Sequence, residues 1–290
     1  QAQFQLCLAY LQGIGVAESK QEAYKWCRKS AEQDYADAQY LLGFIYENAL
    51  AVNQDYVEAA KWYKRAADQN FKDAYVALAN CYYNGKGVAK DYDQAVKYYK
   101  KGVDVGSAEA MYQLGMCYSL GNGVEEDEAK CVSLWLKAAE KGYVKAQFFL
   151  GLQYLVGNGV QRNDAEGVKW IRKAAESGFS YAQAYLAELY HSGEVVAKNS
   201  VEAAKWYRKA AEQGDVASQV MLGHCYHYGD GCTQNYAEAL KWYTKAANKG
   251  DMVAQTMLGI YYYKGFGVTQ NKTEAKKWLM KAAAQGNEAE

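Results

Sequence analysis

Proline is missing altogether from this 290-residue chain, where average usage would supply about fourteen. Proline breaks helix interiors and removes a backbone donor, so its absence fits a chain of many uninterrupted helices. An excess of charge is missing too: Lys plus Arg and Asp plus Glu each number 33. A chain without a basic surplus is not a general binder of nucleic acid or of anionic membranes. The apolar runs fall far short of the ~18–20 residues that cross a bilayer, which excludes membrane insertion. No signal peptide is visible, although a start at Gln1 instead of Met is compatible with an upstream segment having been removed. The seven cysteines include no CxxC and no Cys/His cluster with zinc spacing. They read as reduced thiols used as small core residues.

What is present is apolar and aromatic: 50% hydrophobic residues, 14% aromatic, and 28 tyrosines. The phrase EAAKWYRKAAEQG at 202–214 returns as EAAKWYKRAADQN at 58–70 and EALKWYTKAANKG at 238–250. Leu recurs at 6, 42, 78, 114, 150, 186, 222 and 258, and Tyr at 10, 46, 82, 118, 154, 190, 226 and 262. Every step is 36 residues, so eight units start at 2, 38, 74, 110, 146, 182, 218 and 254.

Each unit reads as a helical hairpin. In the first helix, positions 1, 5 and 9 of the unit carry a small residue, Leu and Tyr, one face at four-residue spacing. Position 6 is small throughout (Cys7, Gly43, Ala79, Gly115, Gly151, Ala187, Gly223, Gly259), which lets two helices approach closely. A turn of the form G-x-G-V follows. It recurs in most units with no strand before it, so it reads as a helix stop needing positive φ and not as a phosphate loop. Ala49 and Ala51 replace both turn glycines in the second unit and Val195 replaces one in the sixth, where local loop differences are expected. The second helix carries Trp at position 25 in six units. Position 28 is always Lys or Arg, matching the helix dipole on a solvated face. Position 33 is Gly, or Asp34 and Asn70, residues that tolerate the left-handed helix stop. A single hairpin cannot bury Leu, Tyr and Trp; stacked hairpins can.

The pattern A-x-x-x-L-G-x-x-Y-x-x-G-x-G-V followed by E-A-x-K-W-Y-x-K-A-A-E-x-G resembles the Sel1-like repeat, a relative of the tetratricopeptide repeat, over essentially the whole chain. The resemblance implies an all-α fold: a right-handed α/α superhelical solenoid of eight 36-residue repeats, one array over 1–290, with the first helices lining the concave side. It also implies a non-enzymatic adaptor or ligand-binding scaffold, bacterial in type. Immunity proteins that neutralise secreted toxins are among the family's roles. A cysteine-rich branch linked to β-lactam binding pairs two cysteines at unit positions 30 and 2. Here those positions hold pairs such as Ala31 and Gln39, or Ala175 and Gln183, so that activity is not expected.

By analogy with the tetratricopeptide superhelix, unit positions 3, 7 and 10 should face the groove. The groove candidates are Tyr40, Phe44, Glu47, Asn80, Tyr83, Tyr112, Met116, Phe148, Leu152, Leu155, Glu188, His191, His224, His227, Ile260 and Tyr263. This aromatic and aliphatic stripe suits an extended peptide or an inserted element of a protein partner. Position 3 has a plainer use, packing against the next hairpin. All three histidines fall on the stripe, and with Glu188 they form E-x-x-H and H-x-x-H on adjacent helices, a conceivable set of metal ligands. Cys225 and His224 are adjacent on a helix and diverge by about 100°, so they make a poor nucleophile pair. The expectation is a protein or peptide partner, no cofactor, and homodimerisation through the array ends as a further option. The location expected is the bacterial cytoplasm, or the periplasm or exterior if a signal peptide preceded Gln1.

Overall fold

The computed structural model describes residues 1–287, and among them there are helices and no strand. The first helices of the eight hairpins are α1 (Ala2–Gln12), α3 (Ala36–Glu47), α5 (Lys72–Asn84), α7 (Ala108–Leu120), α9 (Val144–Val156), α11 (Ser180–Ser192), α13 (Val216–Tyr228) and α15 (Met252–Lys264). The second helices are α2 (Lys20–Glu32), α4 (Tyr56–Asp68), α6 (Tyr92–Asp104), α8 (Glu128–Glu140), α10 (Asp164–Glu176), α12 (Ser200–Glu212), α14 (Tyr236–Asn248) and α16 (Lys272–Asn287). The architecture is an all-α solenoid of hairpins. It comprises two compact units, Gln1–Gln153 with Gly157–Gln161, and Tyr154–Val156 with Arg162 onward. Within each unit, helices that follow one another in the chain pack together.

Each helix starts and stops for a local reason. The second helices are capped by Ser19, Asp55, Asp91, Asp127, Asn163, Asn199, Asn235 and Asn271, whose side chains accept backbone N–H groups of the first turn. Position 33 is left-handed as expected in the first seven units, including Asp34 (φ 59°) and Asn70 (φ 62°), whereas in the eighth α16 runs on through Gly286 to Asn287. The turn at Ala49 and Ala51 departs from expectation. Both alanines adopt the left-handed conformation of the glycines they replace, at φ 54° and 70°. The hairpin geometry outweighs a local cost of about 1–2 kcal/mol per residue. In the turn between the two helices of the sixth hairpin Gly193 is left-handed and Val195 is not.

Two devices build the core. Inside a hairpin, position 6 receives the side chain at position 26: a Cβ on Gly43 would lie 2.7 Å from the Tyr63 ring, and one on Gly223 2.5 Å from Tyr243. Between hairpins, the buried Gln39, Gln147, Gln183, Gln219 and Gln255 each donate their amide to a position-30 carbonyl, those of Ala31, Ala139, Ala175, Ala211 and Ala247, at 3.0–3.3 Å. A third contact covers the tryptophans. The position-28 cation lies over the position-25 ring, as in Lys29 on Trp26 (4.4 Å), Lys209 on Trp206 (4.2 Å) and Lys245 on Trp242 (3.9 Å).

Candidate binding surface on the first helices

In the first unit, α3, α5 and α7 together border a cleft of about 400 Å³. Tyr40 and Phe44 from α3 and Val76 and Ala77 from α5 supply its apolar wall. Glu47, Asp73 and Glu109 supply carboxylates, and no basic residue lines it. Asp73 and Glu109 sit in the first turns of α5 and α7, where acidic residues complement the helix dipole. The floor is organised from below. The Tyr63 hydroxyl on α4 donates to Glu47 Oε2 at 2.6 Å, and the Tyr99 hydroxyl on α6 donates to Asn80 Oδ1 at 2.5 Å. Burial, then the nearby Asp73, Glu109 and Glu47, push the Tyr40 hydroxyl above its ordinary range. Burial and Asp73 raise the Glu109 carboxyl, opposed by Lys145. None of these three carboxylates is in an ion pair among the described residues.

In the second unit the same positions carry the histidines. Each polar side chain is occupied by a tyrosine. Tyr207 donates to Glu188 Oε2 at 2.7 Å, and the His191 ring meets the Tyr207 ring at 6.3 Å. The His224 ring meets Tyr243 edge-on at 5.7 Å, and His227 Nδ1 lies 2.7 Å from the Tyr261 hydroxyl. Burial lowers the pKa of both His224 and His227, and for His224 the neighbouring His227 and His191 lower it further against Asp251. Among the described residues no three His, Cys, Asp or Glu side chains are placed to hold a metal ion. Glu188, His191, His224 and His227 therefore do not converge as a ligand set: Glu188 and His191 are turned to Tyr207, His224 to Tyr243 and His227 to Tyr261.

Eight consecutive segments match the Sel1 repeat model: residues 1–35, 36–71, 72–107, 108–143, 144–179, 180–215, 216–251 and 253–287. The chain belongs to the Sel1 repeat family. No curated protein matches it. Among solved structures it is similar to a protective antigen of uropathogenic Escherichia coli displaying an SLR fold, with 36% identity and a TM-score of 0.83. That match covers 98% of this chain and 61% of the antigen, so the chain spans about three fifths of that relative. It is also similar to a Sel1 repeat protein from Oxalobacter formigenes, with 31% identity, a TM-score of 0.71, and 98% and 82% of the two chains covered. An immunity protein from Pseudomonas aeruginosa shares the fold at 21% identity and a TM-score of 0.50, over 73% of this chain and 81% of that one.

Sel1 repeats generally act as scaffolds for protein interaction, and in this Sel1 chain the groove positions divide by depth. Phe44 is 40% exposed and Tyr263 50%, with Ile260 also open to solvent. Glu188 is exposed; Tyr40, Glu47, Asn80, Tyr83, Met116, Leu152, His191, His224 and His227 are half-buried. Three candidates belong to the wall: Tyr112, Phe148 and Leu155 are at most 9% exposed. Position 3 points toward the partner helix, so the Tyr112 ring stacks on Trp135, whose Nε1 donates to the Tyr112 carbonyl at 3.1 Å. Tyr83 is half committed as well, its hydroxyl accepting from Asn122 Nδ2 at 2.9 Å. Tyr63 reaches the cleft from the second helix, and Asp73 and Glu109 reach it from outside the periodic stripe. Their signal was available: Asp37, Asp73 and Glu109 recur at position 36, one residue before each unit begins. No helix of the described residues is long and apolar enough to cross a membrane.

Proposed function

We propose that this chain is a non-enzymatic scaffold that holds a protein or peptide segment along its first helices, and that the cleft bordered by α3, α5 and α7 receives a basic side chain of that segment. The supporting observation is the cleft itself: aromatic walls, three carboxylates, and no cation among its lining residues. A lysine or arginine placed there would gain both a charge partner and a ring face. Glu47 is already oriented by the Tyr63 hydroxyl, so little side-chain order is lost on binding. Capture of a secreted toxin by an immunity protein is one form of the same activity.

The test uses short acetylated, amidated peptides that place Arg, Lys, citrulline or Glu between aromatic residues, titrated into the chain by calorimetry. Arg and Lys peptides should bind, and Glu47→Gln with Asp73→Asn should weaken them at least tenfold while the chain stays folded by circular dichroism. Equal affinity for the citrulline peptide, or no loss in the double variant, would show that the cleft does not read positive charge.

A further inference from the structure

The cysteine of the first hairpin at position 6 is paired with a second cysteine at position 26. Elsewhere in the molecule these two positions are in direct contact across the hairpin: Gly43 with Tyr63, Gly115 with Trp135, Gly223 with Tyr243, Gly259 with Leu279. Cys7 on α1 and Cys27 on α2 occupy that contact, and both are fully buried in one apolar cluster. The Cys27 thiol lies within hydrogen-bonding reach of two groups, the Ala38 carbonyl oxygen at 3.4 Å and the Cys7 sulfur. No other hairpin has cysteine at both positions.

We infer that Cys7 and Cys27 are a site of disulfide formation, closing the α1–α2 hairpin when the folded chain meets a small-molecule disulfide such as oxidised glutathione. One thiolate attacks the oxidant and expels a glutathione thiol, leaving a mixed disulfide. The second thiolate attacks the protein-bound sulfur and expels the other glutathione. Two thiols of the protein are oxidised, and their two electrons and two protons end on the two released glutathione thiols. The pair differs from the remaining cysteines. The hydrogen bond between them holds the Cys7 thiol below its usual range and, with burial, pushes Cys27 well above it, which makes Cys7 the thiolate that attacks first; burial pushes Cys81, Cys131 and Cys225 up to about 12 and Cys117 to about 11. Because both sulfurs are buried, the rate should follow local opening of the hairpin, and the product should be slow to form and well protected once formed.

The test keeps the intact chain folded in a mixed reduced and oxidised glutathione buffer, quenches with acid, alkylates, and digests with trypsin. Cleavage after Lys20, Lys25 and Arg28 places Cys7 in peptide 1–20 and Cys27 in the tripeptide 26–28. The expected result is a crosslinked 1–20/26–28 species two hydrogens lighter than its parts, together with a melting midpoint that rises on oxidation and returns with dithiothreitol. Full alkylation of Cys7 and Cys27 after the oxidant has modified the half-buried Cys232 would overturn the inference. So would a linkage found only between Cys225 and Cys232.

Discussion

Replacing Lys249 by glutamine should make the second unit more stable. The amide oxygen of Gln219 is buried and has no hydrogen-bond partner among the described residues, although its nitrogen donates to the Ala211 carbonyl at 3.0 Å. In three other hairpins the equivalent oxygen is satisfied by a glutamine at the end of the second helix of the same hairpin, and Gln69 donates to Gln39 Oε1 at 2.7 Å. Gln213 donates to Gln183 Oε1 at 2.7 Å and to the Gly178 carbonyl at 3.0 Å, and Gln285 donates to Gln255 Oε1 and the Gly250 carbonyl, both at 2.9 Å. Lys249 holds this place for Gln219 and makes just the backbone half of the pattern, donating to the Gly214 carbonyl at 2.6 Å. A glutamine there would keep that bond and add the missing one. Satisfying a buried oxygen returns about 1–2 kcal/mol, and losing a cation at the end of α14 costs about 0.3–1 kcal/mol. The net gain expected is therefore roughly 0–1.7 kcal/mol, centred near 1. Urea unfolding at constant m-value reads it directly. Lys249→Met removes the same charge without supplying an amide and should not stabilise, and Gln213→Lys should destabilise by a similar amount. If Lys249→Gln proves no more stable than Lys249→Met, the amide relay does not stabilise these seams.

Ala49→Gly and Ala51→Gly should each raise stability by roughly 0.5–1 kcal/mol in urea unfolding, because removing left-handed strain outweighs the added freedom of the unfolded chain. Tyr207→Phe should cost about 1 kcal/mol through its lost bond to Glu188, whereas Tyr243→Phe should cost nothing, since that buried hydroxyl has no partner among the described residues. His224 and His227 have folded pKa values below the ordinary 6.5. The unfolded chain therefore takes up protons first, so their contribution to stability is complete above about pH 6.5 and is lost as pH falls through the folded values. Melting between pH 7.5 and 5 should show that decline, and it should be smaller in a His224→Gln, His227→Gln chain. Trp206→Ala should lower stability by about 3–5 kcal/mol, the cost of an emptied core site between α12 and its neighbours.

The fold could be read from the residues because its determinants repeat with the same period as the chain. Leu at position 5, the small residue at position 6 and the cap before each second helix are local choices that agree with the stacked arrangement. Asp34 and Asn70 were legible as left-handed stops for the same reason. Ala49 and Ala51 were misread, since propensity alone favours a changed turn and the cost of breaking the repeat geometry is visible only in the packed structure. The lysines and arginines at position 28 were explained well enough by the helix dipole that their seat on the position-25 rings went unnoticed. The binding surface was half legible. Periodicity places a residue on a face, but it does not say whether that face meets solvent or the next helix. Tyr112 and Phe148 fell on the wrong side of that line, and Asp73 and Glu109, outside the chosen positions, reached the cleft. The histidines share a face as expected, and what periodicity could not show is that each would meet a tyrosine first.

In three hairpins a tyrosine at position 26 ties the interior to the face. Tyr63, Tyr99 and Tyr207 carry their hydroxyls outward from the core to Glu47, Asn80 and Glu188. These three repeats thus offer different polar groups while the ring beneath each stays in place. New recognition chemistry in such an array would arise by exchanging one acceptor for another above an unchanged tyrosine, with no repacking underneath.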